Sequence, residues 1–168
     1  EAVADANGGS NTEGGSAAVG IAVAINLATI TTTAAVDGAV IAQGLVITVG
    51  MTDAGGDTDH AFGANAVSGS SGGGIGIAVS LALNIVNLDH TAALNGSATV
   101  TTGGDVAITA DSLAVSTVSA TPSAAVVAGK FGVGASVALN LVTDQAIATI
   151  DAAATVDFAA ANNVTLLA

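Results

Sequence analysis

The sequence predicts an all-β protein, a parallel β-solenoid (β-helix) built from about three repeats of 56–58 residues. Three segments are near copies of one another, and each alternates larger aliphatic residues with Gly, Ala or Ser around an Asn. The copies are residues 19–27, 77–85 and 133–141, and their asparagines are Asn26, Asn84 and Asn140. A period of two is typical of strands, and β-branched residues and glycine are poor helix formers.

The composition also favours a solenoid. Hydrophobic residues make up 51% of the 168 residues, but aromatic residues make up only 2%. The apolar residues are therefore mainly Ala, Val, Ile and Leu, with 22 Gly between them. Such residues fill a narrow core between closely spaced strands. We interpret residues 1–168 as a single solenoid segment, with repeats at approximately 14–69, 70–124 and 125–168, the last one incomplete.

Each copy continues with the same order of elements. The alternating strand leads into a second strand, a tight turn, a short strand, another turn and a further strand. The tight turn is Asp37-Gly38 in the first copy and Asn95-Gly96 in the second, and both residue types tolerate positive φ. In the third copy Ala152 stands in place of the Gly, so we expect a different type of turn there.

The first two copies end in stretches that we expect to be looser, residues 53–74 and 112–129. The second stretch contains Pro122, which cannot donate to a central ladder and therefore marks an edge or a bend. Two coils of roughly 28 residues per repeat, or one large coil, fit the repeat length. Parallel stacking at about 4.8 Å would place the three asparagines on one line, as an amide ladder with intervening coils between them.

The alternation gives each copy two different faces. Val, Ile and Leu on one face predict the core, whereas Gly, Ala, Ser and Asn on the other predict a flat face. A flat face of small residues allows another sheet or a neighbouring filament to approach closely, which suggests lateral bundling of filaments. The alternatives are that this face is exposed to water or packs inside the same molecule.

The charge balance excludes several classes of partner. The net charge is −12, from 13 acidic residues and a single basic residue, Lys130. A chain so poor in Lys and Arg cannot neutralise phosphates, so we expect no nucleic-acid partner and no binding to anionic membranes. The chain has no Cys, and its acidity suits an extracellular protein.

No transmembrane segment is expected. The most apolar windows, residues 17–30, 75–88 and 126–142, are shorter than the ~20 residues of a spanning helix, and each contains an Asn. Residues 1–5 lack the features of a signal peptide. Because the chain begins and ends partway through a repeat, we interpret it as a segment of a longer protein or one tile of a polymer.

Few residues suggest a binding or reaction site. Residues 53–60 form an acidic Gly-rich loop that offers oxygen ligands to calcium, but its spacing matches no known calcium loop and does not recur, which favours a solvated loop. His60 and His90 are too few ligands for zinc, and His90 is expected in a turn at a strand start.

Alternating threonines in residues 29–33 and 99–102 leave ice binding as an alternative. Nucleophile and phosphate-binding motifs are absent, so the sequence predicts no enzyme, no catalytic residue, no cofactor and no metal ion.

Residues 76–110 carry a resemblance to a known class of proteins. They combine an apolar strand containing an Asn, the Asn95-Gly96 turn, a Thr-rich strand and a Gly-Gly-Asp-Val sequence. This pattern resembles the repetitive regions of very large bacterial surface proteins, the filamentous-haemagglutinin-like adhesins and leukotoxin-type repeat proteins. The resemblance implies a parallel β-solenoid, secretion, and a stalk or filament role in adhesion, and it implies no catalytic residue. The first copy departs from the pattern, since it has Gln43-Gly44 where the second has Gly-Gly-Asp.

The expected function is therefore structural and non-catalytic. We expect a repeat segment of a bacterial extracellular filament or adhesin stalk, whose coils stack into a rod and contact copies of themselves or adjoining repeats end to end. The alternative function is a ligand-binding solenoid with ice, a glycan or calcium as its ligand.

Overall fold

The structure, a computed structural model, describes residues 1–12, 16–53, 55–71, 74–125 and 131–168. These residues form twelve strands and contain no helix. The strands are β1 Ala2–Asn11, β2 Ala17–Val36, β3 Ala39–Ala42, β4 Leu45–Val49, β5 His60–Ser71, β6 Ile75–Leu94, β7 Thr99–Thr102, β8 Val106–Ala110, β9 Ala114–Ala124, β10 Phe131–Ile150, β11 Thr155–Asp157 and β12 Val164–Leu167. The all-β class predicted from the period-two alternation is confirmed.

The strands form four three-stranded sheets, and each sheet takes one strand from each of three successive coils. The sheet orders are β1-β5-β9, β2-β6-β10, β3-β7-β11 and β4-β8-β12. Pairing is parallel, with Ala2 beside Phe62 and Leu45 beside Val106. The chain is therefore a parallel β-solenoid with one large coil per repeat, which decides between the two coil lengths that the repeat allowed.

The stretches that we expected to be looser contain regular strands. Residues 60–71 form β5, and residues 114–124 form β9, which pairs at the edge of the first sheet. The Ala, Gly and Ser residues of these stretches did not predict strands, because the residues with high strand propensity are larger ones whose side chains pack on a sheet. Pro122 lies in β9, so its predicted edge position is confirmed.

The described residues group into two compact units. Unit 1 comprises Glu1–Ala28, Ala61–Val86 and Val115–Val142, and unit 2 comprises Thr29–His60, Asn87–Ala114 and Thr143–Ala168. The core of unit 2 is aliphatic and contains Leu94, Val100 and Ile108, which are all almost fully buried. Val100 is flanked by the exposed Thr99 and Thr101, and the residues on either side of Ile108 are half-buried, as a strand with one inward face requires.

The interior of unit 1 consists mainly of small residues instead, and its large buried side chains, Phe62 and Val86, stand near the two ends of the segment Ala61–Val86. Ala22, Ala24, Ala64, Ala66 and Ala82 form its core, between the β1-β5-β9 sheet and the first parts of β2, β6 and β10. Gly, Ser and Asn occupy most of the other inward-facing positions of these strands. Elsewhere in the unit the two sheets are held together by burial of Ala and by polar contacts.

Our prediction that the Val, Ile and Leu face forms the core was therefore wrong for unit 1. Ile21 is 60% exposed, whereas the next residue, Ala22, is 3% exposed. The reason is the close approach of the two backbones: a Cβ added at Gly20 would overlap the Gly69 carbonyl, and one at Gly8 would overlap the Ile21 carbonyl. So little space between the sheets at these positions admits only small side chains.

The corner turns also differ from expectation. Among the described residues only Gly55 and Gly56 have positive φ, so the Asp-Gly and Asn-Gly turns do not use the left-handed region. The second copy closes its turn with a hydrogen bond from Ala98 N to Asn95 O, and the third closes it in the same way, with Ala154 N donating to Asp151 O. Ala in place of Gly therefore causes no change of turn type, because negative φ suits either residue.

Among the residues that the structure describes, no helix is long and apolar enough to cross a membrane.

Candidate functional site

The three repeat asparagines form a hydrogen-bonded ladder through unit 1. Asn26 Nδ2 donates to Asn84 Oδ1 over 2.7 Å, and Asn84 Nδ2 donates to Asn140 Oδ1 over 2.9 Å. The predicted line of asparagines is thus confirmed, but neighbouring coils carry the members directly, with no coil between them. Each amide presents one donor and one acceptor along the stacking direction, so the pattern repeats from coil to coil.

The ladder also joins the two sheets of unit 1. Asn26 Nδ2 donates to the Ala2 carbonyl over 2.9 Å, and Asn84 Nδ2 donates to Ser116 Oγ over 2.6 Å. The Ser116 hydroxyl in turn donates to Asn140 Oδ1 over 2.8 Å. Asn84 is fully buried, so its amide needs these partners.

A second set of polar contacts joins the coils at the corners of unit 2. Asn95 Nδ2 donates to Asp37 Oδ1 over 2.6 Å, and Ser97 Oγ donates to the Asp37 carbonyl over 2.7 Å. At another corner Asn163 Nδ2 donates to Asp105 Oδ1 over 3.3 Å. Carboxylates and amides therefore alternate from coil to coil, which avoids stacking like charges on top of one another.

The acidic loop uses its carboxylates to close turns. Asp53 Oδ1 accepts a hydrogen bond from Gly56 N over 2.6 Å, and Asp57 Oδ1 accepts one from Asp59 N over 3.1 Å. These are local side-chain to backbone bonds, typical of Asp in turns. Within the described ranges, no group of three or more His, Cys, Asp or Glu residues is placed to hold a metal ion.

The two histidines come together, which the sequence did not indicate. The rings of His60 and His90 stack in unit 2 with centroids 5.7 Å apart and planes 13° from parallel. His90 lies within β6, 1% exposed, and not in the turn that we expected; neither of its ring nitrogens has a hydrogen-bond partner among the described residues. Burial, and then the neighbouring His90 ring, lower the pKa of His60 from its usual 6.5.

The threonines of the β3-β7-β11 sheet do not form continuous lines across the coils. In the β3-β7-β11 sheet, Thr99 lies between Ala39 and Thr155. Two residues further on, Thr101 lies between an isoleucine of β3 and an aspartate of β11. No line of paired residues across this sheet therefore consists of threonine alone, and the sheet presents no regular array of hydroxyl groups.

A shallow depression of about 390 Å³ lies where the strands of the β1-β5-β9 sheet end. Its lining is Gly9, Ser10, Asn11, Gly69, Ser70, Ser71, Ser123 and Ala125. None of these side chains is an acid, a base or an activated nucleophile, so this lining offers hydrogen-bonding groups but no proton-transfer chemistry.

Unit 1 carries two outer faces of opposite character. The apolar face consists of the outward residues of β2, β6 and β10: Ala17, Val19, Ile21, Val23, Ile25, Leu27, Ile75, Ile77, Val79, Leu81, Leu83, Ile85, Phe131, Val133, Ala135, Val137, Leu139 and Leu141. The polar face, on the β1-β5-β9 sheet, presents mostly Asp, Asn, Ser, Thr and Gly outward. The inversion of inside and outside in unit 1 thus leaves most of its large side chains on one exposed surface.

The acidic residues lie mainly in the other unit. Ten of the 13 acidic residues belong to unit 2, and the eighteen residues of the apolar face include none. Lys130, the single basic residue, lies outside the described residues.

No protein-family model, no curated protein and no solved structure matches the chain.

Proposed function

We propose that this chain is a structural, non-catalytic repeat segment of a bacterial extracellular filament or adhesin stalk. The observation that carries the proposal is the asparagine ladder, because it repeats the same polar contact from one coil to the next. Such a contact stabilises stacking of coils and contributes no reactive group. The resemblance of residues 76–110 to bacterial adhesin repeats supports the surface location, and so does the net charge of −12.

The proposal includes end-to-end contact between copies or with adjoining repeats. Strands β1 to β4 lie at one edge of the four sheets, and β9 to β12 lie at the other. Edge strands present rows of N–H and C=O groups that pair with a further strand. Because the repeats resemble one another, the last coil of one copy matches the first coil of the next, and a heterologous contact of this kind propagates.

Electron microscopy and fibre diffraction of the purified chain test this proposal. We expect fibres with an axial spacing near ~4.8 Å, the distance between stacked strands. Salt is included to screen repulsion between copies of charge −12. Discrete particles at every salt and protein concentration would contradict end-to-end assembly.

A single substitution at an edge strand gives a sharp control. Leu45 N donates to Asp105 O, so the N–H of Val46 points away from β8, towards the edge. Val46→Pro removes that edge donor without removing a bond of the β4-β8 ladder, and Val46→Thr retains it. We expect Val46→Pro to shorten or abolish fibres and Val46→Thr to leave them intact. Equal fibre lengths for all three proteins would show that the coil edges are not the contact.

A further inference from the structure

We propose that the apolar face of unit 1 is an interface at which a second copy of this chain binds face to face. The face is the outer surface of three parallel strands. Sixteen of its eighteen residues are Val, Ile, Leu or Phe. This inference does not depend on the filament or stalk role, because pairing through a sheet face is independent of contact through sheet edges.

The size of the face matches what a specific dimer needs. Eleven residues at ~3.3 Å along each of three strands ~4.8 Å apart give a footprint of roughly 500 Å². Two such faces together bury about 1,000 Å², the lower limit for a specific interface. A contiguous apolar patch of this size is in the upper part of the ~300–600 Å² range that the largest patch on a monomer covers, and such patches are often functional.

The chemistry of the face favours a second copy. Two sheets with aliphatic outer faces pack about 10 Å apart with side chains interdigitated, as in β-sandwiches. An isologous contact brings the same apolar patch of both copies together, so neither copy has to supply a complementary charge. Ten of the 13 acidic residues belong to unit 2, and repulsion between these acids opposes any pairing through unit 2 surfaces.

The polar face of the same unit supplies a matched control. On the apolar face Val23, Val79 and Val137 are 48%, 36% and 59% exposed. On the polar face Val3 and Val115 are 51% and 46% exposed. Val→Thr preserves the shape of the side chain and its preference for strands but adds a hydroxyl, so both sets test polarity at similar exposure.

Sedimentation velocity across a range of protein concentrations tests the proposal, in the otherwise native chain and in a Val46→Pro background. We expect a concentration-dependent dimer whose dissociation constant rises by at least about 100-fold in Val23→Thr/Val79→Thr/Val137→Thr, because three hydroxyls per copy lose their water partners on pairing. Val3→Thr/Val115→Thr should leave it within about twofold. The background substitution keeps end-to-end assembly from obscuring the dimer, so failure of either proposal is seen separately.

Added salt and lipid vesicles give two further tests of the face-to-face dimer. Added salt should strengthen the wild-type dimer, because it screens repulsion between two copies of charge −12. This salt test uses the wild-type chain, so it remains valid if the triple variant fails to fold. Far-UV circular dichroism of the triple variant would reveal such a failure. A chain that stays monomeric at all concentrations and salt levels overturns the proposal. So does a dimer that both variants retain equally, or a monomer that binds neutral phosphatidylcholine vesicles through the apolar face.

Discussion

Replacing the central member of the asparagine ladder is the most direct test of what holds the coils of unit 1 together. In Asn84→Ala three side-chain hydrogen bonds disappear: the one accepted from Asn26 and those donated to Ser116 and Asn140. Each such bond contributes a net ~0.5–1.5 kcal/mol. The substitution also leaves a small cavity, since Asn84 is fully buried.

The remaining partners limit the loss. Asn26 Nδ2 still donates to the Ala2 carbonyl, and Asn140 Oδ1 still accepts from the Ser116 hydroxyl. No amide of the ladder is therefore left entirely unpaired, and the full desolvation penalty does not apply. We expect the free energy of unfolding to fall by about 2–4 kcal/mol in Asn84→Ala, and by less in Asn140→Ala, because Asn140 is exposed.

Urea unfolding followed by far-UV circular dichroism measures this loss. The control is Asn65→Ala, because Asn65 is an exposed asparagine on the polar face of the same unit. We expect that control to change the free energy of unfolding by less than about 0.5 kcal/mol. If Asn84→Ala is no more destabilising than the control, the ladder does not hold the coils together, and the argument for a stacking function fails.

Two further predictions concern close packing and acid stability. Gly20→Ala should destabilise the protein by about 3 kcal/mol, because the added Cβ overlaps the Gly69 carbonyl. In the control, Gly9→Ala, the added Cβ faces open space and should lower the stability by under ~0.5 kcal/mol. Thermal unfolding of the two variants compares these losses. Because burial and His90 lower the pKa of His60 below 6.5, the folded protein binds fewer protons than the unfolded chain as pH falls through 6.5. Stability should thus be highest above pH 6.5 and fall below it, and His60→Phe, which keeps a stacked ring but does not titrate, should reduce that fall. An unchanged slope in urea unfolding between pH 7 and pH 5 would rule out the histidine pair as its source.

The elements that sequence reasoning predicted correctly are those set by repetition. Asn26, Asn84 and Asn140 stand at corresponding positions of three copies, and parallel stacking requires corresponding positions to lie above one another. The strand class followed from alternation in the same way. The His60 and His90 contact was not predictable, because the two residues occupy unrelated positions in the repeat and only the coil geometry brings them together.

The prediction of the inner face was wrong because alternation alone does not show which face of a strand points inward when both faces are apolar. Ranking residues by hydrophobicity placed Ile21 inside and Ala22 outside, and the structure reverses them. The informative residue was glycine: Gly8 and Gly20 both lie on the inner face, where the backbone of the opposite sheet leaves no room for a Cβ. In an alternating strand of small and large aliphatic residues, glycine on the small side therefore indicates a thin interior. The large side then lies outside, and unit 1 leaves on its surface the apolar area that a wider core would bury, which is why we assign that surface to a second copy of the chain.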